Sequence, residues 1–394
     1  MIRVLQSVKY SEHKIRQKIP TVLFLEPQPC IRALKYAKGL KWAFKGKIHI
    51  IFGYLYYTLS ELYGHGNEVF DKLVRLNQNN VRGDIEKLVD TTNPSIIHSH
   101  NAPDALTVAA VEAVEREVPV IHDSHEALSL RKTGYYASDD EKKVLEEYPS
   151  QEKLANEKSD GRIYVTEGIR DYIQQRYSVD PSKDIVFYSY VCESLVPSRL
   201  RKRLSEKDGQ IHIVYIGTVT SLIEDSHYDL REIFREIAAH NIHLHMYVSI
   251  WGTRDKAYQR MAEDNEFIHY HGHLDQRTLL DRITQYDYGW AGFNTNDKNI
   301  SHLDVVLPNK AFEYVACGLP ILAFPHKTLK RFIERNMVGL VFDDIDEMAS
   351  KLKEDEMESI TNRVLDSRHK FTVEANIGKV IQHYERIRAR CLGR

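Results

Sequence analysis

The sequence predicts an α/β protein of two doubly wound, Rossmann-like domains, each a parallel sheet with helices on both faces. Three observations carry that expectation. Short apolar runs alternate with amphipathic stretches along the chain, the grammar of β–α–β units. A polar, charge-rich segment, PSRLRKRLSEKDGQ over residues 197–210, interrupts the alternation, which restarts at IHIVYIG from Ile211. The chain has 394 residues, more than one hydrophobic core of ordinary size organises, so length alone favours two domains.

In the first half, the apolar runs at residues 21–25, 95–98, 118–122, 161–165 and 185–188 read as strands. Residues 105–116, rich in Ala and Val, read as a packed helix. Residues 138–158 crowd acidic with basic side chains, the composition of a solvated helix and not of a binding tract. The longest oily run, IHIIFGYLYYTL from Ile48 to Leu59, is too short to span a bilayer, which takes about 20 apolar residues. It reads as a buried strand or helix, with a position at a membrane interface as the other reading.

In the second half, residues 211–217 form the opening strand. Residues 229–239 place Leu230, Ile233, Phe234 and Ile237 on one helical face. In the next strand Ile242, Leu244, Met246 and Val248 alternate with His243, His245 and Tyr247. His269, His271 and His273 alternate in the same way. His243 and His245 sit on the opposite strand face from the apolar residues, and no carboxylate or cysteine completes a ligand set with His269, His271 and His273, so no metal site is expected. A helix at 279–286, a strand at 289–293, a helix at 308–317 and strands at 320–324 and 340–342 continue the cycle. The last helix, residues 373–390, carries Ile377, Val380, Ile381, Tyr384 and Ile387 on one stripe. No strand follows it, so that stripe must pack on structure already formed. The expected division is 1–196 for the first domain, 197–370 for the second and 371–394 for the terminal helix.

Composition removes several function classes. Lys and Arg total 54 against 56 Asp and Glu, a net charge of −2, which provides no whole-chain attraction for nucleic acid. The cysteines (Cys30, Cys192, Cys317 and Cys391) show no C-x-x-C spacing, consistent with a reducing compartment. The first 20 residues mix charged and apolar side chains and lack the continuous apolar core of a signal peptide. A cytoplasmic protein is expected, and the oily run at 48–59 leaves room for peripheral contact with the inner face of a membrane.

The most informative stretch is LPNKAFEYVACGLPILAF, Leu307 to Phe324. Pro308 suits a helix start, and Gly318 with Pro320 stops the helix before a strand. Ligands of open parallel sheets bind beyond the carboxyl ends of strands, where helix N-termini point. The free N–H groups of that helix attract an anion, and Lys310 adds a full charge in its first turn. Glu313, one turn on, offers a carboxylate for two sugar hydroxyls. Phosphate and ribose recognition side by side describes a nucleotide-sugar site.

Pro308-Asn309-Lys310, Phe312-Glu313-Tyr314 and Cys317-Gly318-Leu319-Pro320 together resemble the donor-binding region of GT-B glycosyltransferases of the family 4 type. The likeness extends to IHIVYIG, to residues 272–280 and to the unpaired terminal helix. It implies a hexosyltransferase-like enzyme with the donor nucleotide on the second domain, the acceptor on the first, and a last helix that crosses back. Carried over residue by residue, Glu313 holds the donor ribose, and Gly217 and Thr218 form the loop that the diphosphate approaches. Asn309, Lys310 and Arg254 complete the donor side. VPVIHDSHE, residues 118–126, resembles the strand that ends in a histidine beside the transferred sugar, which makes His125 the catalytic candidate. His100 and Asp104, in IIHSHNAPD, fall at a similar strand end on the acceptor side.

The departures from the family pattern are specific. No cation stands between Thr218 and Tyr228, where an Arg and a Lys usually clamp the diphosphate. The family's earlier glutamate is Val305 here, with Asp304 beside it, and EPQPCIR (Glu26 to Arg32) replaces a glycine-rich loop. Lys310, with Arg254 or Lys256, is the expected substitute clamp. The implied reaction moves a sugar from a nucleoside-diphosphate sugar, the co-substrate, to a hydroxyl of a glycan, a lipid-linked or a small-molecule acceptor. Retention of configuration and independence of metals and other cofactors are expected. The alternatives are a nucleotide-sugar epimerase using Asp123, His125 and Glu126, and a binding subunit without turnover.

Overall fold

A computed structural model describes residues 20–393 apart from 102–103, 115–117, 131–138, 224–225 and 355, and omits the side chains of 139–147 and 356. The signal-free N-terminal reading therefore rests on residues outside the described ones, as does part of the charged stretch that begins at 138. The first sheet contains β1 (Thr21–Glu26), β2 (His49–Tyr54), β3 (Lys72–Arg75), β4 (Ile96–His100), β5 (Val120–Ser124), β6 (Gly161–Tyr164) and β7 (Asp184–Val186). Its strands are parallel in the order β3-β2-β1-β4-β5-β6-β7. The second contains β8 (His212–Gly217), β9 (His243–Val248), β10 (Ile268–Tyr270), β11 (Tyr288–Trp290), β12 (Ile321–Ala323) and β13 (Gly339–Val341). It is also parallel, in the order β10-β9-β8-β11-β12-β13.

Central strands of a parallel sheet are covered on both faces and become continuously apolar. Val22, Leu23, Phe24 and Leu25 of β1 and Ile213, Val214, Tyr215 and Ile216 of β8 are accordingly buried. The order in which strands are added reverses between β1 and β4 in one sheet and between β8 and β11 in the other. Crevices open at such switch points, beyond the carboxyl ends.

The oily run at 48–59 resolves as β2, whose residues Ile50, Ile51 and Phe52 are in the core, followed by the exposed Tyr56 and Tyr57. The interfacial reading of that run gives way to the buried strand. Strand β3, with the sequence KLVR, had no apolar signal: it is a short edge strand with charged ends. No helix among the described residues is long and apolar enough to cross a membrane.

The terminal helix Val373–Leu392 packs on the first domain, against the helix Ile31–Ala43. Two glycines make the approach possible. A Cβ on Gly39 would lie 2.5 Å from Val373 Cγ1, and one on Gly161 would lie 2.7 Å from Ile387 Cγ1. The Tyr384 hydroxyl meets His98 Nδ1 at 2.5 Å, which joins the last helix to the first domain's buried polar network. Gly39→Val is expected to destabilise the fold by about 1–3 kcal/mol through overpacking. A thermal melt indistinguishable from wild type would contradict the close approach.

Candidate active site

The residues expected on the donor side lie at the carboxyl ends of β8 and β9 and on the helix Asn309–Ala316. Gly217 has φ of +134°, a conformation closed to other residues without strain. The Ser249 amide donates to its carbonyl at 2.9 Å, and the Thr218 hydroxyl donates to Ser249 Oγ at 3.2 Å. The Tyr215 hydroxyl closes the turn by donating to the Thr218 carbonyl. Pro308 caps the helix without a side-chain hydrogen bond, leaving its opening amides for a ligand. Asn309 is exposed at the first helical position.

Lys310 is 8% exposed, and its Nζ has no hydrogen-bond partner among the described residues. The ammonium lies 3.8 Å above the Tyr215 ring and 5.5 Å from that of Phe293. It sits 3.4 Å from the point a Cβ on Gly217 would occupy, so helix and loop converge on one spot. Burial pulls its pKa down to about 7, and the charge of Glu313 pulls the other way. Glu313 is half-buried and accepts a hydrogen bond from Gln276 Nε2 at 3.2 Å. The helix is held down by Tyr314, whose hydroxyl donates to the Trp290 carbonyl at 2.9 Å and accepts from the Ile216 amide at 3.1 Å. Its ring occupies the space a side chain on Gly289 would need, with ring atoms 2.2–2.5 Å from that Cβ position.

The expected substitute clamp is only partly assembled. Arg254 is exposed and stacks on the exposed Trp251 ring at 4.5 Å, while Lys256 is exposed at the start of the next helix. Sequence reasoning missed Lys35 of the first domain, a buried lysine that donates to the Ser189 carbonyl at 3.1 Å. Burial lowers its pKa, and the charge of Glu313 opposes that shift from across the domain boundary. Arg32 and Lys35 stand three apart on a helix also carrying Lys38 and Lys41, a spacing that reads as a solvated face.

Asp304 does not replace the missing glutamate. Its carboxylate pairs with Lys327 Nζ at 2.7 Å and its carbonyl accepts from the Thr328 hydroxyl. Val305 is instead a junction between domains: its carbonyl accepts from the Thr166 hydroxyl at 2.7 Å, and a Cβ on Gly168 would lie 2.7 Å from its Cα. Beside this junction a cavity of about 590 Å³ is lined by Tyr172, Asp304, Thr328 and Arg331.

The first-domain side centres on Asp123, which is fully buried. It accepts from Arg32 at 2.9 and 3.1 Å and from the Tyr36 hydroxyl at 2.6 Å, and it meets His98 Nε2 at 3.1 Å. Burial opposes its charge, but Arg32, His125 and His98 outweigh that and hold its pKa well below the carboxylate range. Asp123 is thus a fixed anion and a poor proton carrier. His125 lies just past β5 with its side chain 17% exposed and Nδ1 3.8 Å from Asp123; its amide donates to Asn101 Oδ1 at 3.0 Å. Glu26 at the end of β1 was missed as a site residue. Burial raises its carboxyl pKa to about 7 and the neighbouring His125 opposes this, so it carries a proton part of the time near neutrality.

His100 and Asp104 do not line an open acceptor surface. Asp104 is fully buried with its carboxylate 3.2 Å from His122 Nε2. His100 is equally buried and stacks on His98 with ring centroids 4.6 Å apart. Glu26, Cys30 and His100 bring donor atoms within 4.8 Å of one another. Burial raises the Cys30 thiol pKa well above its usual value.

Two family models match the chain. "Glycosyltransferase Family 4" covers residues 67–191, and "Glucosyltransferase 3-like, C-terminal domain" covers residues 230–384. No curated protein matches the sequence. Among solved structures, a glycosyltransferase from Rickettsia africae aligns with a TM-score of 0.65 at 14% identity, over 94% of this chain and 99% of its own. An Anabaena protein in complex with UDP aligns with a TM-score of 0.62 at 12% identity, over 92% and 99%. A protein from Listeria monocytogenes described as a UDP-N-acetylglucosamine 2-epimerase aligns with a TM-score of 0.59 at 14% identity, over 93% and 95%.

Proposed function

This chain is a GT-B glycosyltransferase of the family 4 type, and from that premise we propose that it transfers a hexosyl group from a nucleoside-diphosphate sugar to an acceptor hydroxyl. The observation that carries the reading is Lys310: a buried ammonium without a hydrogen-bond partner among the described residues, at an uncapped helix start, facing a positive-φ glycine. Such a charge is costly to bury unless a ligand anion completes it. A diphosphate supplies that anion, and Glu313, one turn along, takes the ribose hydroxyls.

In the proposed reaction the C1–O bond to the diphosphate breaks and a bond from C1 to the acceptor oxygen forms. Negative charge grows on the departing diphosphate, where Lys310 and the helix amides already point. The acceptor proton leaves on a phosphate oxygen of that group. His125 orients a hydroxyl of the transferred sugar from the first domain, and the configuration at C1 is retained. Epimerisation would need a free acid and base at the sugar; Asp123, bound by Arg32, Tyr36 and His98, is poorly suited to either. The UDP complex of the Anabaena protein favours a uridine nucleotide as the first donor to try.

The test is incubation with a panel of nucleotide sugars in EDTA, followed by mass detection of transfer or donor hydrolysis. Turnover in EDTA is expected. Isomerised donor without transfer would replace this reading with the epimerase one, and turnover only on adding magnesium or manganese would remove metal independence. Glu313→Ala should weaken nucleotide-sugar binding by about 1.5–3 kcal/mol, the worth of a charge-assisted hydrogen bond, with the fold unchanged. Calorimetry showing wild-type affinity for every nucleotide sugar would take Glu313 out of the site.

A further inference from the structure

We propose that the second domain binds a divalent transition ion of the zinc class at Asp208, His212 and His243, away from the transfer site. These residues bring one donor atom each to within 4.8 Å of one another. Asp208 ends the short helix Ser205–Asp208, and His212 and His243 open β8 and β9, paired side by side in the sheet register. They lie at the amino ends of the strands. The Gly217 loop is at the other end of β8, about 16 Å away at the usual strand rise of about 3.3 Å per residue.

Asp208 belongs to the charge-rich linker, so its place in the sequence does not mark it as a partner of these histidines. The fold brings it to His212, with Oδ2 3.0 Å from Nε2. The ring nitrogens facing away are already held. His212 Nδ1 contacts His245 Nε2 at 2.9 Å, His245 Nδ1 contacts His271 Nε2 at 3.0 Å, and His243 Nδ1 contacts His269 Nε2 at 2.9 Å. Every link runs from Nδ1 to Nε2. If each Nδ1 carries the proton, the His212 Nε2 lone pair is free toward Asp208, the form a metal ligand requires, and His243, whose ring lies parallel to that of His212 with centroids 4.6 Å apart, keeps an unprotonated Nε2. Outer-shell partners that fix ring tautomers in this way are a usual part of metal–histidine sites.

Without an ion, the opposite tautomers let His212 Nε2–H donate to Asp208. Binding therefore reverses the hydrogen-bond direction along the His212–His245–His271 chain, while every histidine stays neutral. Two imidazoles and one carboxylate suit zinc and its neighbours better than magnesium or calcium, which prefer all-oxygen shells. His212 and His245 are buried, His243 and His269 half-buried, and Asp208 and His271 exposed, so an ion can enter from solvent. Bound there, it would tie the linker's short helix to the sheet.

Cobalt chloride and zinc chloride test the proposal on the full chain. Wild type should bind one Co²⁺ with visible absorption that Zn²⁺ displaces, and Zn²⁺ should raise its melting temperature. Asp208→Asn and His243→Gln, both at accessible positions, should each weaken binding at least tenfold and together abolish the thermal shift. Sugar transfer should be unchanged, and circular dichroism should report an intact fold. No Co²⁺ bound by wild type, or equal Co²⁺ affinity and stoichiometry in the double variant, would overturn the site. Neither outcome bears on the transferase reading, which is tested in EDTA.

Discussion

Replacing Lys310 by Met is expected to make the protein more stable and nearly inactive. The ammonium is buried without a hydrogen-bond partner among the described residues, so a side chain of similar length and no charge removes a desolvation cost. The same change removes the cation assigned to the diphosphate. Binding of nucleoside diphosphate should fall about 10- to 150-fold, the equivalent of about 1.5–3 kcal/mol. Turnover should fall about 10²–10³-fold, because leaving-group charge is larger in the transition state.

The pH dependence has a definite sign. The folded pKa of about 7 lies below the ordinary lysine value of 10.5, so the unfolded chain holds the proton more tightly. The destabilisation is full below pH 7 and fades as pH rises toward 10.5. The stability advantage of Lys310→Met should therefore shrink between about pH 7 and 10.5, measured by calorimetric melting. Wild-type affinity for diphosphate should weaken as pH rises through about 7, and the variant should lack that inflection. A variant that melts lower and binds diphosphate normally would refute both assignments.

Asp123→Ala is expected to cost about 3–5 kcal/mol, the usual result of leaving one member of a buried ion pair uncompensated. The side chain is the shared acceptor for Arg32 and Tyr36 and meets His98, and all of these groups are buried. Urea unfolding of the variant measures the loss. The double variant Arg32→Met with Asp123→Leu should recover most of it, because neither charge is then stranded. A single-variant loss below about 1 kcal/mol would mean the cluster is looser than its distances imply.

The sheet alternation and the terminal helix were legible in the sequence because period and burial coincide there. The run at 48–59 was ambiguous because a strand buried on both faces has no alternation to distinguish it from a buried helix. Lys310 lies beside Gly217, and Glu313 follows one turn along the same helix; helix starts and positive-φ glycines leave local marks. Lys35 and Glu26 were missed because their surroundings come from distant parts of the chain. Lys35 donates to Ser189, 154 residues away, and the charge of His125 reaches Glu26 from another strand. Asp104 was misjudged in the opposite sense, since position at a strand end says nothing of how deeply the carboxylate sits.

The contact between Tyr384 and His98 joins residues 286 apart in sequence. It sets an order on biosynthesis. When β7 leaves the ribosome, the first domain has its seven strands but lacks the helix that covers Gly39, Gly161 and His98. The 206 residues from Val186 to Leu392 follow, so at about 5–20 residues per second the groove stays open for about 10–40 s. During that interval the nascent chain exposes an apolar groove whose own cover is still unmade, and holdase chaperones have their longest opportunity there.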